Sequence, residues 1–407
     1  MAQHPQIKGE HHREVLAPGA AALSPTIPII RIVSKRRIKI KAGSLLGVTK
    51  GSVYRLYKPG DSPRLKIYHV TPFASYAESK SEIKVGDLVV EESHAYHFTP
   101  IKVYLGADLD KPLLKEIAAA FDTQALGAYQ LTNNPHQANL QLYLLRPKQQ
   151  DGQLIYGSPD DALPKSFPNQ PPELWVLTPD QRLFKKGLKI PFSNLKKGVK
   201  LLQSKLKRLA RVRELKTLKT PFSSTLAVEV KIETLNQVPY CQKGPDCVEQ
   251  YTFEGDKVWY RKTGSYRFSE IEGKTLNSDQ ILSFSLHNNV KQDYYCYLIN
   301  ISPNDAINTI FPPYWERMEF ARLKKGEIRK VINTLSIEEL GEETLKLIIS
   351  PQAIDISLLE QPPITRLGLN PLEQLLANAT HGWRSDTAVE IDDWATGQVI
   401  FKVTASE

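Results

Sequence analysis

The hydrophobic and polar positions of this 407-residue chain form the clearest pattern between residues 281 and 332. Residues 282–286 alternate between apolar and polar, which is the period-two signature of a half-buried strand. The run Tyr294–Ile301 is apolar or aromatic at almost every position and therefore predicts a strand covered on both faces. A third predicted strand, residues 306–311, stops at two prolines that cannot donate to a β-ladder. This stretch predicts a strand meander.

Neighbouring segments extend the meander into a β-sandwich domain at residues 223–355. Alternating or aromatic-rich strand patterns recur at residues 226–232, 251–268 and 345–349, which gives about seven or eight strands. The remaining residues, 356–407, are expected to add one helix and one strand that pack on the sandwich.

The two elements of residues 356–407 have separate signals. Asn370 as N-cap and Pro371 at the first helical position predict a helix to about residue 379. Alternation at Val399, Phe401 and Val403 predicts a terminal strand that pairs with the sandwich.

The first hundred residues carry a different pattern. Residues 1–30 lack periodicity and predict a disordered arm, whereas residues 31–96 contain short strands separated by frequent turn signals, as in a small β-barrel. Glycines spaced by four in residues 43–51 invite a phosphate-loop interpretation. That interpretation fails because Lys50-Gly51-Ser52 has the wrong order and a strand pattern follows it instead of a helix.

Residues 97–222 combine segments of helical periodicity with segments of strand periodicity and predict a small α/β module. Its helix has Asp110 as N-cap and Pro112 in the first turn, and residues 146–172 are expected to form a long exposed loop. Strand patterns occupy residues 101–105, 128–131, 140–145, 174–177 and 182–184. The predicted fold class is therefore multidomain α+β and mainly β, with a small β-barrel, a small α/β module and a C-terminal β-sandwich.

Positive charge is concentrated where the α/β module ends. The chain has a net charge of +9, and residues 182–219 hold fourteen Lys or Arg against one acid, Glu214. This segment contributes +13, so the rest of the chain sums to −4. An amphipathic helix in it predicts one apolar face and a basic interaction surface. The candidate surface residues are Lys197, Lys200, Lys205, Lys207, Arg208 and Arg211.

Three interpretations of the basic helix compete. In the first, its apolar face docks on its own sheet and its charged face lies in solvent. In the second the charged face binds nucleic acid, and in the third it binds an anionic membrane surface. The solvated face is favoured because charged runs on amphipathic helices usually face water. Nucleic acid is the less favoured partner, since few aromatic side chains accompany the cations.

The cysteines and carboxylates indicate no catalytic site, cofactor or metal. Cys296 lies within an apolar strand as a small hydrophobe. Cys241 and Cys247 share a Pro/Gly loop and either form a redox-sensitive bridge or stay as thiols, and thiols are favoured. The spacing offers no second pair of zinc ligands, and adjacent acids such as Glu342-Glu343 are typical of solvent-exposed charges. No membrane span or secretory signal is found, so a cytoplasmic protein is expected.

Several segments resemble the C-terminal, non-catalytic region of bacterial caspase-like proteins of the metacaspase type. The sandwich segments that carry the resemblance are YYCYLINISPNDAINTIFPP, RLKKGEIRKV and LKLIIS. AGSLLGVTKGSVYRLYKPG and VGDLVV are similar to the small β module of that family, and HPQIKGEHHREVL to the last stretch of its peptidase domain. DDWATGQVIFKV is similar to its C-terminal tail.

The resemblance implies a function without catalysis. The family's catalytic histidine and cysteine belong to a domain that would precede Met1, and no residue here matches them. The chain is therefore expected to be an accessory, regulatory or protein-interaction region, with a caspase-like peptidase domain or another protein as partner. The alternatives are nucleic-acid or anionic-surface binding through residues 182–219, and a cysteine endopeptidase by family membership. The oligomeric state is left open.

Overall fold

The computed structural model of the protein describes nine stretches of the chain. They are residues 26–58, 62–107, 110–123, 126–184, 188–220, 227–251, 256–313, 315–364 and 394–406. Most of the predicted arm and the predicted helix at residues 370–379 lie outside these residues.

The first module is a closed six-stranded barrel. Its strands follow the order β1-β2-β5-β4-β3-β6, and β6 pairs back with β1 to close the wall. They are β1 (Thr26–Ser34), β2 (Arg37–Ile40), β3 (Val53–Leu56), β4 (Arg64–Val70), β5 (Ser75–Ser79) and β6 (Leu88–Ser93). The barrel begins earlier than predicted, since Ile27 and Ile29 of β1 are already buried in its core.

The second module is a five-stranded mixed sheet with two helices. The strand order is β13-β12-β9-β7-β8, in which β7 runs parallel to both of its neighbours. The elements are β7 (Ile101–Ala107), α1 (Lys111–Phe121), β8 (Tyr129–Thr132), β9 (Leu140–Leu145), β10 (Gln149–Gln150), β11 (Gln153–Leu154), β12 (Glu173–Leu177), β13 (Lys189–Pro191) and α2 (Leu195–Thr217).

Three details of this module differ from the prediction. Residues 182–184 form only one bridge, Leu177 to Leu183, and the edge strand is β13 instead. The expected loop at 146–172 contains the small β10–β11 hairpin. Asp110 precedes α1 as predicted, but its carboxylate accepts from Arg146 at 2.6 Å and makes no capping hydrogen bond.

The third module is a sandwich of two six-stranded sheets. The strands are β14 (Val228–Val238), β15 (Cys247–Tyr251), β16 (Lys257–Arg267), β17 (Thr275–Asn277), β18 (Gln280–Asn288), β19 (Tyr294–Ile301), β20 (Ile307–Phe311), β21 (Arg322–Leu323), β22 (Ile328–Lys330), β23 (Leu335–Ser336), β24 (Gly341–Ser350) and β25 (Ala395–Thr404). One sheet has the order β15-β16-β14-β18-β22, with β23 as a sixth strand that also pairs with β18. The other has the order β17-β25-β24-β19-β20, with β21 as a sixth strand that also pairs with β19. The predicted terminal strand is confirmed as β25, which pairs with β24 along its length.

Strand β19 lies between two cores, as its apolar sequence predicts. Cys296 and Leu298 face the sandwich interior, together with apolar residues of β14, β18 and β25. Tyr297 and Ile299 face the other way, into a core shared with the barrel and the C-terminal end of α2. The sheet containing β19 is therefore covered on its second face by the other two modules.

Two sequence expectations about polar residues and thiols in the sandwich are wrong. Cys241 and Cys247 are joined by a disulfide across the loop before β15, whereas free thiols were favoured. Glu343, expected at the surface, is 2% exposed within β24. Burial raises the pKa of its carboxyl to about 7, despite a hydrogen bond from Asn300 that acts in the opposite direction.

Candidate functional site at the module junction

A cavity of about 470 Å³ lies where the barrel, α2 and residues 358–361 meet. The turn after β2 supplies part of its apolar wall, including Leu45 and Leu46. Charged and phenolic side chains supply the polar wall. They include Tyr54, Glu91, His94, Lys207, Arg211 and Glu214.

Each polar group reaches the cavity from a well-anchored element. Val89 and Val90 of β6 are buried in the barrel, which places Glu91 and then His94 at the end of that strand. Helix α2 starts at the N-cap Asn194, whose side chain accepts from the amide of Lys197 at 3.0 Å. The last turns of α2 then carry Glu214 to the barrel.

His94 is held between two carboxylates from different modules. Its Nδ1 lies 2.8 Å from a Glu91 oxygen, and its Nε2 lies 3.0 Å from a Glu214 oxygen. The His94 side chain is only 11% exposed. Tyr54 donates a long hydrogen bond of 3.4 Å to the same Glu91 carboxylate. The resulting charge cluster, Glu91–His94–Glu214, fastens the barrel to α2.

The cluster favours a charged imidazole. Burial would lower the pKa of His94, but the hydrogen bonds and negative charges of Glu214 and Glu91 outweigh it and raise the pKa to about 9. Burial also acts to raise the pKa of Glu91, yet His94 and Arg211 leave it lowered. The histidine is therefore an imidazolium near neutral pH, and its charge favours the ionised form of Glu91.

This geometry limits what the cluster does chemically. An imidazolium with both N–H groups donated to carboxylates has no lone pair, so it does not act as a general base near neutral pH. The two carboxylates contact opposite nitrogens of one ring and do not converge on a common point. Within the described residues, no group of three or more His, Cys, Asp or Glu side chains is placed to hold a metal ion.

Comparison with family models, curated proteins and solved structures returns no match to this chain. The resemblance to caspase-associated regions therefore stays a prediction from the sequence. Of the described helices, none has an apolar stretch that would allow it to cross a membrane.

The six predicted surface cations do not form one exposed face. Lys197 and Lys200 are exposed and Lys207 is half-buried. Lys205 is wrongly assigned to the surface, since it is 3% exposed and donates to the Ile364 carbonyl at 2.5 Å. Arg208 and Arg211 are half-buried.

Both arginines turn toward the segment after the sandwich. Arg208 donates to the Pro363 carbonyl at 3.4 Å, and Arg211 donates to the Leu358 carbonyl. Half of the predicted basic surface is thus used to hold residues 358–364 against α2. The helix periodicity could not reveal this second docking surface, because its partner lies about 150 residues further along the chain.

We expect Lys205→Ala to lower the free energy of unfolding by about 2 kcal/mol, because the buried Ile364 carbonyl would lose its donor and the aliphatic stem its packing. The matched change Lys200→Ala, at an exposed position of the same helix, is expected to cost less than about 0.5 kcal/mol. Urea denaturation followed by circular dichroism measures both. Equal effects of the two changes would contradict the buried role of Lys205.

The sequence contained one weak signal for the charge cluster. Glu214 is the single acid among fourteen cations, and its position on α2 is where the helix meets Glu91 and His94. Cys296, by contrast, stays a core residue, since burial raises the pKa of its thiol well above the usual range. Its thiol is therefore not an activated nucleophile.

Proposed function

We propose that this chain is a non-catalytic accessory or regulatory region that binds a protein, with a caspase-like peptidase domain as the leading partner. The observation that carries this proposal is the junction cluster. Its titratable groups are hydrogen-bonded to one another and join two modules, which is a structural use of residues that an active site would keep available.

The exposed apolar side chains of the sandwich support a protein partner. Trp315 is 47% exposed, and Ile328 and Ile332 on and beside β22 are 69% and 62% exposed. Ile328 and Ile332 are four residues apart along the chain, and neighbouring exposed apolar side chains are typical of protein-binding surfaces. A framework whose modules share one core presents such a surface in a fixed orientation, which lowers the entropic cost of binding.

The catalytic part of the proposal is tested with fluorogenic peptides ending in Arg, Lys or Asp. We expect no turnover by the purified chain. Turnover that is abolished by thiol alkylation and by Cys296→Ala would overturn the proposal. Reading the coding sequence upstream of Met1 for an in-frame caspase-type His and Cys tests the alternative of a peptidase by family membership.

The binding part is tested by titrating the chain with a caspase-like peptidase domain from the same genome. Ile328→Ser combined with Ile332→Ser is expected to weaken the complex at least about tenfold, because two exposed apolar contacts are removed. Val85→Ser is the matched control, since Val85 is also 59% exposed but lies on the barrel. If Val85→Ser lowered the affinity and the Ile328→Ser, Ile332→Ser double variant did not, the partner-binding surface would not be the one around β22.

The alternative of nucleic-acid or anionic-surface binding through residues 182–219 has less support. Three of its six candidate residues are engaged with residues 358–364, which leaves mainly Lys197 and Lys200 for an external anion. A cytoplasmic location also stays a prediction, and the Cys241–Cys247 disulfide favours an oxidising compartment instead.

A further inference from the structure

Three rings lie together on the outer wall of the barrel. A bulge in β4 between Ile67 and His69 breaks the alternation of that strand, so that Tyr68 and His69 both approach Tyr76 of β5. The ring centroids of Tyr68 and His69 lie 6.3 and 5.5 Å from that of Tyr76. His69 is exposed and both tyrosines are half-buried, so the rings form a platform that faces solvent.

Cations border this platform in a continuous row. Arg31 is opposite Lys39, Lys39 is opposite Tyr76, and Tyr76 is opposite His69, so the row crosses β1, β2, β5 and β4 on one face. The Lys39 ammonium lies 5.3 Å from the centre of the Tyr76 ring. On the next row, the Arg37 guanidinium lies 5.3 Å from the centre of the Tyr68 ring.

The charge of this wall is strongly positive. Residues 26–41, which form β1, β2 and their turn, contain six Lys or Arg and no Asp or Glu. Among the described residues, Glu78 of β5 lies opposite Arg37 and pairs with it at 3.4 Å. The summed charge of −4 outside residues 182–219 therefore conceals a second basic segment.

We propose that this barrel wall binds single-stranded nucleic acid. Bases stack on Tyr76 and its neighbouring rings, while Arg31, Arg37 and Lys39 contact the phosphates. Interleaved rings and cations are the combination by which proteins bind single strands, since every unpaired base offers a flat face and every nucleotide a negative charge. A duplex offers no such faces. This proposal does not depend on the proposed protein partner.

Nucleic acid is favoured over an anionic membrane by the placement of the rings. A membrane surface would engage protruding apolar side chains, whereas Tyr68 and Tyr76 lie half-buried against the wall, each beside a cation. The exposed Ile30, Ile32 and Val33 of β1 are the residues that a bilayer would engage instead. Vesicle binding is therefore included in the test as a competing outcome.

The test is fluorescence anisotropy of labelled oligothymidine and oligouridine, each about 15 nucleotides long, titrated with the full chain at several salt concentrations. We expect binding, and we expect the logarithm of the association constant to fall linearly with the logarithm of salt concentration. Tyr76→Leu should weaken it at least about fivefold through lost stacking, and Tyr76→Phe should keep it within about twofold. Lys39→Gln should reduce the salt slope by about 0.7, the value for one phosphate contact on a single strand.

The control variant combines Lys197→Gln with Lys200→Gln, which removes two exposed charges from α2 and is expected to leave oligonucleotide binding unchanged. Thermal melting establishes that each variant is folded. The proposal is overturned if neither oligonucleotide binds at low salt, or if the α2 variant loses binding while Tyr76→Leu keeps it. Binding only to vesicles containing phosphatidylserine, with loss on changing Ile32 to Ser, would equally overturn it.

Discussion

We expect Gly43→Ala to lower the free energy of unfolding by about 3 kcal/mol or more, because the added methyl group has no space. A Cβ at this position would lie 2.2 Å from the Thr71 carbonyl oxygen and 2.4 Å from that of Pro72. Both carbonyls are fixed by accepting hydrogen bonds from the amides of Ser44 and Leu45, at 3.0 and 3.1 Å. The backbone of Gly43 has φ of −128°, so the cost is steric and not conformational.

Urea denaturation of Gly43→Ala measures this loss. The control is Gly244→Ala, where the nearest atom to an added Cβ is the Gln242 carbonyl oxygen at 3.8 Å, and it should change stability by less than about 0.5 kcal/mol. Because Gly43 begins the turn that walls the junction cavity, its change should also alter the contact between the barrel and α2. Wild-type stability in Gly43→Ala would show that the turn and its neighbours relax freely.

The second large effect is a pH dependence that His94 imposes on folding. We expect the free energy of unfolding to fall by about 3 kcal/mol as pH rises from 6.5 to above 9, because the pKa of His94 is raised from 6.5 to about 9 in the folded protein. The stabilisation is complete below pH 6.5, where the ring is protonated in both states, and is lost once the folded protein also releases the proton.

Two other buried groups titrate in the same pH range, and their contributions to stability must be separated from that of His94. Burial, assisted by Lys219, lowers the pKa of Lys346 to about 8, so this lysine makes the protein more stable as pH rises from 8 to 10.5. The pKa of Glu343 is raised from 4.5 to about 7, so this residue makes the protein less stable as pH rises from 4.5 to 7. The difference between wild type and His94→Gln, measured by urea denaturation from pH 5 to 10, removes both contributions. An unchanged difference across this range would contradict the charge cluster.

The sequence predicted the elements that depend on local pattern. Tyr294–Ile301 is apolar on both faces, and the structure places a core on each side of it. The barrel followed from the density of turns, and α2 from its helical periodicity. Each of these signals lies within about twenty residues of chain, where periodicity and turn chemistry are reliable guides.

What the sequence could not predict depends on contacts between distant segments. The periodicity of α2 alone predicts that Lys205 is exposed. Residues 358–364 pack against the helix and bury this side chain. Likewise, Glu91 and Glu214 meet on either side of His94 although they are 123 positions apart in the chain. The outer rings of the barrel depend on a single bulge in β4, which no residue pattern marks. Such juxtapositions follow from topology and not from local propensity.

The position of β25 has a consequence for the order in which the molecule is synthesised. This strand lies between β17 and β24, so the growing chain leaves the ribosome with one edge of β24 unpaired until residues 395–404 emerge. Unpaired edges of apolar strands template association with other chains. Nascent protein would therefore need protection at this edge, by a chaperone or by neighbouring modules, until β25 completes the sheet.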